Sequence, residues 1–229
     1  MALILTIDTA TEVATVALAR KGIVMHAIQN SNMNAHASWV HSALQELIST
    51  AAVSVSSIQA IGITAGPGSY TGLRVGMATA KGLCYALKIP LIVENTLKVM
   101  AKSAIAHNTK GNQMNGREIY LPMIDARRME VFAAAYDSTL ACVFPPAAVI
   151  LDESSFSNLS NTATIYCFGN GSKKFNGVTK HPNFRFINLP ADATALSILS
   201  YEKYLKQDFA DLAYAEPFYL KEFYGVRKN

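Results

Sequence analysis

The sequence is poor in charged residues and in cysteine. Of its 229 residues only 16% are charged, whereas 51% are hydrophobic. This balance excludes an intrinsically disordered chain, which combines high charge with low hydrophobicity. The length is sufficient for one large domain or two small ones. The three cysteines form no C-x-x-C pair, which indicates reduced thiols and no disulfide framework.

The sequence also lacks a long apolar run and a secretion signal. Its longest apolar stretch, 142–151, is far shorter than the roughly 20 residues of a membrane-spanning helix, and Pro145 and Pro146 interrupt it. No basic segment precedes the first apolar residues, and Asp8 follows them early. We therefore expect a cytoplasmic protein without a membrane partner. The net charge of +4 permits contact with RNA but is not that of a dedicated nucleic-acid-binding protein.

Several signatures of catalysis are missing. The sequence has no G-x-S-x-G elbow and no H-E-x-x-H motif. His36 and His41 are five residues apart, a spacing that does not place two metal ligands on one helix face. Ser69 fits the N-cap of a helix better than a nucleophile, because no general base is evident near it. We predict no catalytic residue and no metal site.

Strand and helix patterns alternate along the chain, which is typical of an α/β fold. In the first half, period-2 or buried apolar runs predict strands at 2–8, 13–19, 22–29, 58–64 and 91–94. Helical periodicity predicts helices at 36–52 and 69–87. In the second half we predict strands at 119–125, 130–136 and 165–168, and a helix at 194–205.

A polar, glycine-containing segment, 108–117, divides the two halves and is predicted to be a linker. We therefore predict a first lobe at 1–107 and a second, smaller lobe at 118–229, with the C-terminal segment free to return to the first lobe. An internal repeat supports two related lobes. Asp8 and Asp125 each end a strand, and a G-x-G-S turn follows later in each half, at 66–69 and at 169–172.

The repeated features suit a nucleotide clamp. A carboxylate at the end of a strand can hold hydrated Mg²⁺, and a glycine turn before a helix offers amides to phosphate. The candidate positions are Asp8, Thr9, Gly66, Gly68, Ser69, Asp125, Arg127, Gly169 and Gly171. Both turns that follow the aspartates lack glycine, so phosphate cannot approach their backbone closely. We expect a degenerate site, in which Arg127 pairs with a phosphate, with Glu130 or with a partner's carboxylate.

Small residues recur on one face of the predicted helix 69–87. Gly72, Gly76 and Ala80 are spaced by four residues and so share a face. Each glycine costs about 1 kcal/mol relative to alanine in a helix interior. Either this face packs inside its own lobe, or a partner helix docks on it. We predict that a partner docks there, and that Gly76→Leu weakens binding but leaves the isolated chain folded.

The most distinctive segments resemble one known family. Residues 7–10 read I-D-T-A, residues 66–76 read G-P-G-S-Y-T-G-L-R-V-G, and residues 80–83 read A-K-G-L. Together they resemble the TsaB family, also called YeaZ. Residues 125–132, D-A-R-R-M-E-V-F, are similar to that family's second-lobe turn. The resemblance extends over about 1–223.

The resemblance implies two tandem lobes with the actin/hexokinase/Hsp70-like fold. It implies a paralogue of TsaD, the subunit that transfers the threonylcarbamoyl group to the adenosine beside the tRNA anticodon. Such a chain would activate a TsaD-like subunit together with a TsaE-like ATPase, and the complex would use ATP and Mg²⁺ that this chain does not hold tightly. The H-x-x-x-H metal motif of TsaD is absent.

The resemblance also implies that the two long first-lobe helices form both the TsaD contact and a homodimer contact. The predicted partner interface is Trp39, Tyr70, Gly72, Leu73, Gly76 and Ala80. Contact with tRNA is expected through the complex, and the basic residues Lys221, Arg227 and Lys228 permit it. The alternatives are an ATP-dependent transferase or kinase of the same fold that uses Asp8 and Asp125, or a glycoprotease-like hydrolase.

Overall fold

The computed structural model describes residues 2–32, 36–108, 117–160 and 163–221. The predicted linker therefore lies outside the described residues, apart from its two ends. The strands are β1 Leu3–Asp8, β2 Ala14–Arg20, β3 Ile23–Asn30, β4 Ala60–Gly66, β5 Leu91–Asn95, β6 Arg117–Asp125, β7 Glu130–Asp137, β8 Cys142–Ile150, β9 Ala163–Phe168 and β10 Phe184–Phe186. The α-helices are α1 His36–Ala51, α2 Tyr70–Leu87, α3 Thr96–Asn108, α4 Ser157–Ser160, α5 Ser172–Asn176 and α6 Thr194–Lys206.

The strands form two five-stranded mixed sheets with the same topology. The first has the order β3-β2-β1-β4-β5, and the second has the order β8-β7-β6-β9-β10. In each sheet the central strand pairs antiparallel with the next strand in sequence and parallel with a later one. The second sheet thus repeats the first, strand for strand. The prediction of two tandem lobes of the actin/hexokinase/Hsp70-like α/β class is confirmed.

Both faces of the first sheet are covered by helices, which explains why β1 is apolar at nearly every position. Leu5 and Ile7 pack with residues of α1 and α2 on one face. Ile4 points to the other face, where it packs with Tyr201 and Tyr204 of α6. Successive side chains of a strand point to opposite faces, and a sheet buried on both faces needs apolar residues on each.

Two helices cross between the lobes. α3 follows the last strand of the first sheet, yet Leu97 and Ala101 pack with Tyr120 and Phe168 of the second sheet. α6 comes from the second half of the chain but contacts β1, β4 and β5 of the first sheet. The C-terminal segment therefore lies on the first lobe, and packing crosses the predicted boundary in both directions.

Short helices and an aromatic cluster cover the remaining face of the second sheet. Phe175 of α5 lies at the centre of this cluster and contacts Phe156 and Phe184 edge to face, with ring centroids 5.5 and 4.9 Å apart. Offset and edge-to-face arrangements are the favourable geometries for such rings. Three large rings thus fill the space that long helices occupy in the first lobe.

Sequence patterns did not predict α3, α4, β8 or β10. β8 contains Pro145 and Pro146 and lies at the edge of its sheet. A proline is tolerated there because an edge strand does not need all of its N–H groups for pairing. β10 is the other edge strand and has only three residues. Within the described ranges, no helix has the length and hydropathy needed to span a bilayer.

Candidate functional site

The two lobes share an aspartate at the end of the central strand. In the first lobe, Asp8 Oδ1 accepts hydrogen bonds from Ala10 N at 3.0 Å and from Thr64 Oγ1 at 2.7 Å. The carboxylate thereby fixes its own turn and ties it to β4. Thr9, which is fully buried, donates its hydroxyl to Gly72 O at 2.7 Å.

The second aspartate is bound to an internal cation. Asp125 Oδ1 accepts hydrogen bonds from Lys174 Nζ and from Arg127 N, both at 2.6 Å. Burial by itself raises the pKa of Asp125, but these hydrogen bonds and the nearby ammonium hold that pKa below its usual value. Lys174 Nζ also lies 3.3 Å from Glu130 O. A metal ion bound by Asp125 would have to displace this ammonium group.

Asn170 joins the two aspartate turns across the cleft. Its Oδ1 accepts from Asp125 N at 2.8 Å, and its Nδ2 donates to Glu12 Oε1 at 3.3 Å. Neither Asn170 nor Lys174 was a predicted site residue. The only signal for them is their position in and just after the second G-x-G-S turn, because their partners lie about 45 residues or more away in sequence.

Because the glycines of both turns have no side chain, a neighbouring backbone segment packs closely against each turn. Gly66 and Gly169 have φ of +122° and +89°, a region that favours glycine. A Cβ on Gly68 would overlap Ala10 O, and a Cβ on Gly171 would lie only 3.1 Å from Asp125 N. The space beside each turn is thus filled by the aspartate turn of the same lobe. These glycines do not leave an open cradle for phosphate.

Ser69 is the N-cap of α2, as predicted, because its Oγ accepts from Gly72 N at 3.3 Å. The predicted site residues of both lobes therefore come together around the cleft, but mainly as partners of one another. Within the described ranges, no three His, Cys, Asp or Glu side chains come close enough to hold a metal ion. The residues present do not fit a magnesium–nucleotide complex.

The cleft contains two cavities, and both are lined by Thr11, Glu12, Asp125 and Asn170. The larger, which we call the strap cavity, has a volume of about 740 Å³, and the smaller has about 500 Å³. One wall of the strap cavity is the C-terminal segment 217–221, which we call the strap. The strap is anchored by a hydrogen bond from Phe218 N to Ala65 O at 2.7 Å. Its last described residue, Lys221, pairs with Glu130 of the second lobe.

The small-residue face of α2 packs inside its own lobe. Gly72, Leu73, Gly76 and Ala80 are all buried. A Cβ on Gly76 would overlap Thr9 Oγ1 and lie 3.3 Å from Ile63 Cδ1, and a Cβ on Gly72 would overlap Thr9 O. This burial within the chain argues against docking of a partner on these four residues. Helical periodicity correctly grouped them on one face, but the first aspartate turn fills the groove that they leave.

The other two predicted interface residues are half-buried. Trp39 packs against the core of the first lobe. Tyr70 lines the strap cavity, where its ring centroid lies 5.2 Å from that of Tyr219 and 4.9 Å from Arg74 Cζ. Tyr70 therefore belongs to the cleft, on the strap side of α2.

An open apolar groove lies between α1 and α2. Its volume is about 610 Å³, and its lining residues are His41, Leu44, Val75, Ala78, Thr79, Gly82 and Leu83. A Cβ on Gly82 would meet no atom within 4 Å. We call this surface the α1–α2 groove, and both long helices contribute to it.

The topology and the paired aspartate turns define a two-lobed protein of the actin/hexokinase/Hsp70-like class. Comparison with known proteins narrows this class. The model of the TsaD family, described as tRNA N6-adenosine threonylcarbamoyltransferase, matches residues 23–215. YeaZ from Pseudomonas aeruginosa has the same fold, with a TM-score of 0.79 at 24% identity, over 96% of this chain and 100% of that chain. The chain belongs to this family and, within it, to the TsaB (YeaZ) proteins.

Two curated relatives carry the name tRNA threonylcarbamoyladenosine biosynthesis protein TsaB. The protein from Escherichia coli is 37% identical over 133 residues, which are 58% of this chain and 54% of that protein. The protein from Haemophilus influenzae is 30% identical over 129 residues, or 56% and 51% of the two chains. The matched region spans about half the length of these relatives.

Proposed function

We propose that this chain is a non-catalytic partner of a TsaD-like subunit in the threonylcarbamoylation of the adenosine beside the tRNA anticodon. Its family membership and the names of its relatives support the pathway. The non-catalytic role is supported by the observation that both cleft aspartates are already bound by other groups of the protein. Asp8 is bound by Ala10 and Thr64, and Asp125 is bound by Lys174.

Nucleotide chemistry in this fold class needs carboxylates that are free to hold a hydrated metal and a backbone that lets phosphate approach. Here an ammonium group already neutralises Asp125, and the turn glycines contact protein. ATP and Mg²⁺ are therefore used by the complex and are not held tightly by this chain. No observation favours the transferase or kinase alternative. For the hydrolase alternative, the serine considered as a nucleophile, Ser69, instead caps α2.

The α1–α2 groove is the proposed docking surface. A TsaD-like partner of the same family has a related fold, so it brings its own pair of first-lobe helices. Two helix pairs can pack across such a groove as a four-helix arrangement with a buried apolar seam. The same surface would form a homodimer when the partner is absent, so the two assemblies compete. We further propose that a TsaE-like ATPase joins the complex, and that the complex acts in the cytoplasm.

Reconstituted tRNA modification tests the non-catalytic role. We expect Asp8→Asn, which keeps an oxygen acceptor for Ala10 N and Thr64 Oγ1, to retain most of the modification rate of the full complex. Loss of a catalytic acid or base typically lowers a rate by roughly 100-fold or more. The measurement is threonylcarbamoyladenosine formed in tRNA by a TsaD-like subunit, a TsaE-like ATPase and either form of this chain.

The assembly of the complex serves as the control in that experiment. If Asp8→Asn abolishes modification while the complex still forms, Asp8 takes part in the chemistry and the transferase alternative replaces the proposal. Calorimetry of the isolated chain with ATP and Mg²⁺ gives a second readout. Micromolar binding accompanied by turnover would lead to the same conclusion.

A further inference from the structure

Two arginines stand at the tip of the second-lobe turn. Arg127 and Arg128 have φ of +69° and +45°, a conformation that residues other than glycine rarely adopt. Both are exposed, and Arg127 lines the strap cavity. Among the described residues neither guanidinium forms an ion pair. Arg127 thus presents a cation at the rim of the cavity, and Arg128 is the next residue of the same exposed turn.

An aromatic wall contributes to the same cavity. Tyr70 begins α2 and Tyr219 belongs to the strap, and their rings are tilted by 34° with centroids 5.2 Å apart. Arg74 lies over the Tyr70 ring with its Cζ 4.9 Å from the centroid. Tyr219 remains 42% exposed, and its neighbour Phe218 is 43% exposed. The wall therefore offers accessible aromatic surface that is held in place by the strap and by a cation–π contact.

Two acidic groups at the cavity are paired with lysines, Asp125 with Lys174 and Glu130 with Lys221. Glu12 accepts from the neutral amide of Asn170 and keeps its negative charge. At the rim, Arg127 is therefore a cation without an ion-pair partner in the described ranges, and the same cavity also holds the carboxylate of Glu12. A cavity of about 740 Å³ is within the usual size of a small-ligand site. Aromatic surface beside free guanidinium groups suits a ligand that has both a flat ring and a phosphate.

We propose that the strap cavity binds an unpaired nucleotide of an RNA strand. The base lies against Tyr219 and Tyr70, and the phosphate lies at Arg127 and Arg128. Stacking and guanidinium contacts need no metal ion, which agrees with the engaged aspartates. Proteins recognise single-stranded RNA mainly through such stacked, splayed bases. This inference rests on the proposed function, because that function supplies tRNA as the RNA.

Fluorescence anisotropy with a labelled, unmodified tRNA anticodon stem-loop tests the inference on the full chain. We expect Tyr219→Leu to weaken binding by about tenfold or more, as loss of one stacked base does. Arg127→Gln should weaken it similarly and reduce the slope of log K against log salt by about 1. Lys180→Gln is the matched control, because it removes the same charge from a side chain that is 83% exposed and lies outside the cavity.

Several results would overturn the inference. These are absence of RNA binding by the wild-type chain, unchanged binding by Arg127→Gln, or an equal loss in the Lys180→Gln control. Equal affinity for a fully paired RNA duplex would exclude an unpaired nucleotide, and full displacement of the RNA by stoichiometric AMP would assign the cavity to a free nucleotide. Arg127 is exposed, so its variant keeps the test valid even if Tyr219→Leu disturbs the strap.

Capture of the TsaD-like subunit in the absence of RNA separates this inference from the proposed function. If capture persists while RNA binding is absent or insensitive to Arg127→Gln, only the RNA site is rejected. If the chain binds the stem-loop but captures no TsaD-like subunit, the partner role is rejected instead.

Discussion

The two lobes share a sheet but differ in the helices that cover it. The first lobe has α1 and α2, of 16 and 18 residues, between β3 and β5. At the equivalent places between β8 and β10 the second lobe has α4 and α5, of 4 and 5 residues. The second lobe closes its core with the rings of Phe156, Phe175 and Phe184 instead. Long helices are thus not required to complete this fold.

This difference suggests what the long helices are for. Their inner faces pack on the first sheet, as any covering element must, but their outer faces form the α1–α2 groove. In the described part of the second lobe, the helices at the equivalent places are too short to form such a pair. We therefore infer that the inner face of α2 serves folding and that its outer face serves partner binding. Substitutions on each face can separate the two roles.

The largest expected effect is on the inner face. Gly76→Leu would insert a side chain where even a Cβ overlaps Thr9 Oγ1. Overpacking of a core costs about 1–3 kcal/mol, and occasionally more. For a chain of this size that corresponds to a fall in melting temperature of roughly 2–12 °C. Thermal unfolding followed by circular dichroism measures it. A melting temperature equal to that of the wild type would restore the original prediction that this face is open to a partner.

A different effect, on binding instead of stability, is expected on the outer face. Gly82→Leu makes the same substitution six residues later in α2, where a Cβ meets nothing within 4 Å. We expect the isolated chain to melt within a few degrees of the wild type. Overpacking the docking surface by about 1–3 kcal/mol should weaken binding to a TsaD-like subunit by roughly 10- to 100-fold. Calorimetry of the two purified proteins gives the affinity.

Self-association of the isolated chain provides an internal control for that experiment. If Gly82→Leu weakens the heteromeric contact but leaves a homodimer intact, the two assemblies use different surfaces. If it weakens neither, the α1–α2 groove is not the docking surface. Partner binding on this groove then does not explain why the helices of the first lobe are long.

The smallest expected effect concerns the internal cation of the second lobe. The folded-state pKa of Asp125 is lowered, so its pairing stabilises the fold above the unfolded pKa, near pH 4, and this contribution disappears as the pH falls through the lower, folded pKa. Lys174→Met should therefore reduce the urea midpoint slightly at pH 7 and make it less sensitive to acid below about pH 4. The effect is small because the Asp125 side chain is 39% exposed.

Lys180→Met is the matched control for this measurement. Lys180 pairs with Glu153, but these side chains are 83% and 65% exposed, so the pair should contribute almost nothing. If both variants show the same urea midpoints at pH 7 and below pH 4, Lys174 has no special role in fixing the second aspartate turn.

The strands other than β8 and β10, the two turns and the N-cap at Ser69 were predictable because their signals are local. Apolar alternation, a G-x-G-S turn and a serine before a helix each act over a few residues. The role of the glycine face was not predictable in this way, because periodicity shows which residues share a face and not which element fills it. The ion pair of Asp125 with Lys174 depends on a contact across 49 residues. The helix α3 was overlooked, and only the fold shows that it covers the opposite lobe.

The exchange of α3 and α6 between the lobes has a consequence for synthesis of the chain on the ribosome. One face of the first sheet, including Ile4 and Ala60, is covered by α6, whose residues are translated well after those of β1 and β4. At Gly62 the fit is so close that a Cβ would overlap Ser200 of α6. The first half of a nascent chain therefore exposes an apolar sheet face until residue 206 has left the exit tunnel. Neither half is a separable module, and truncation between the lobes should give aggregation-prone fragments.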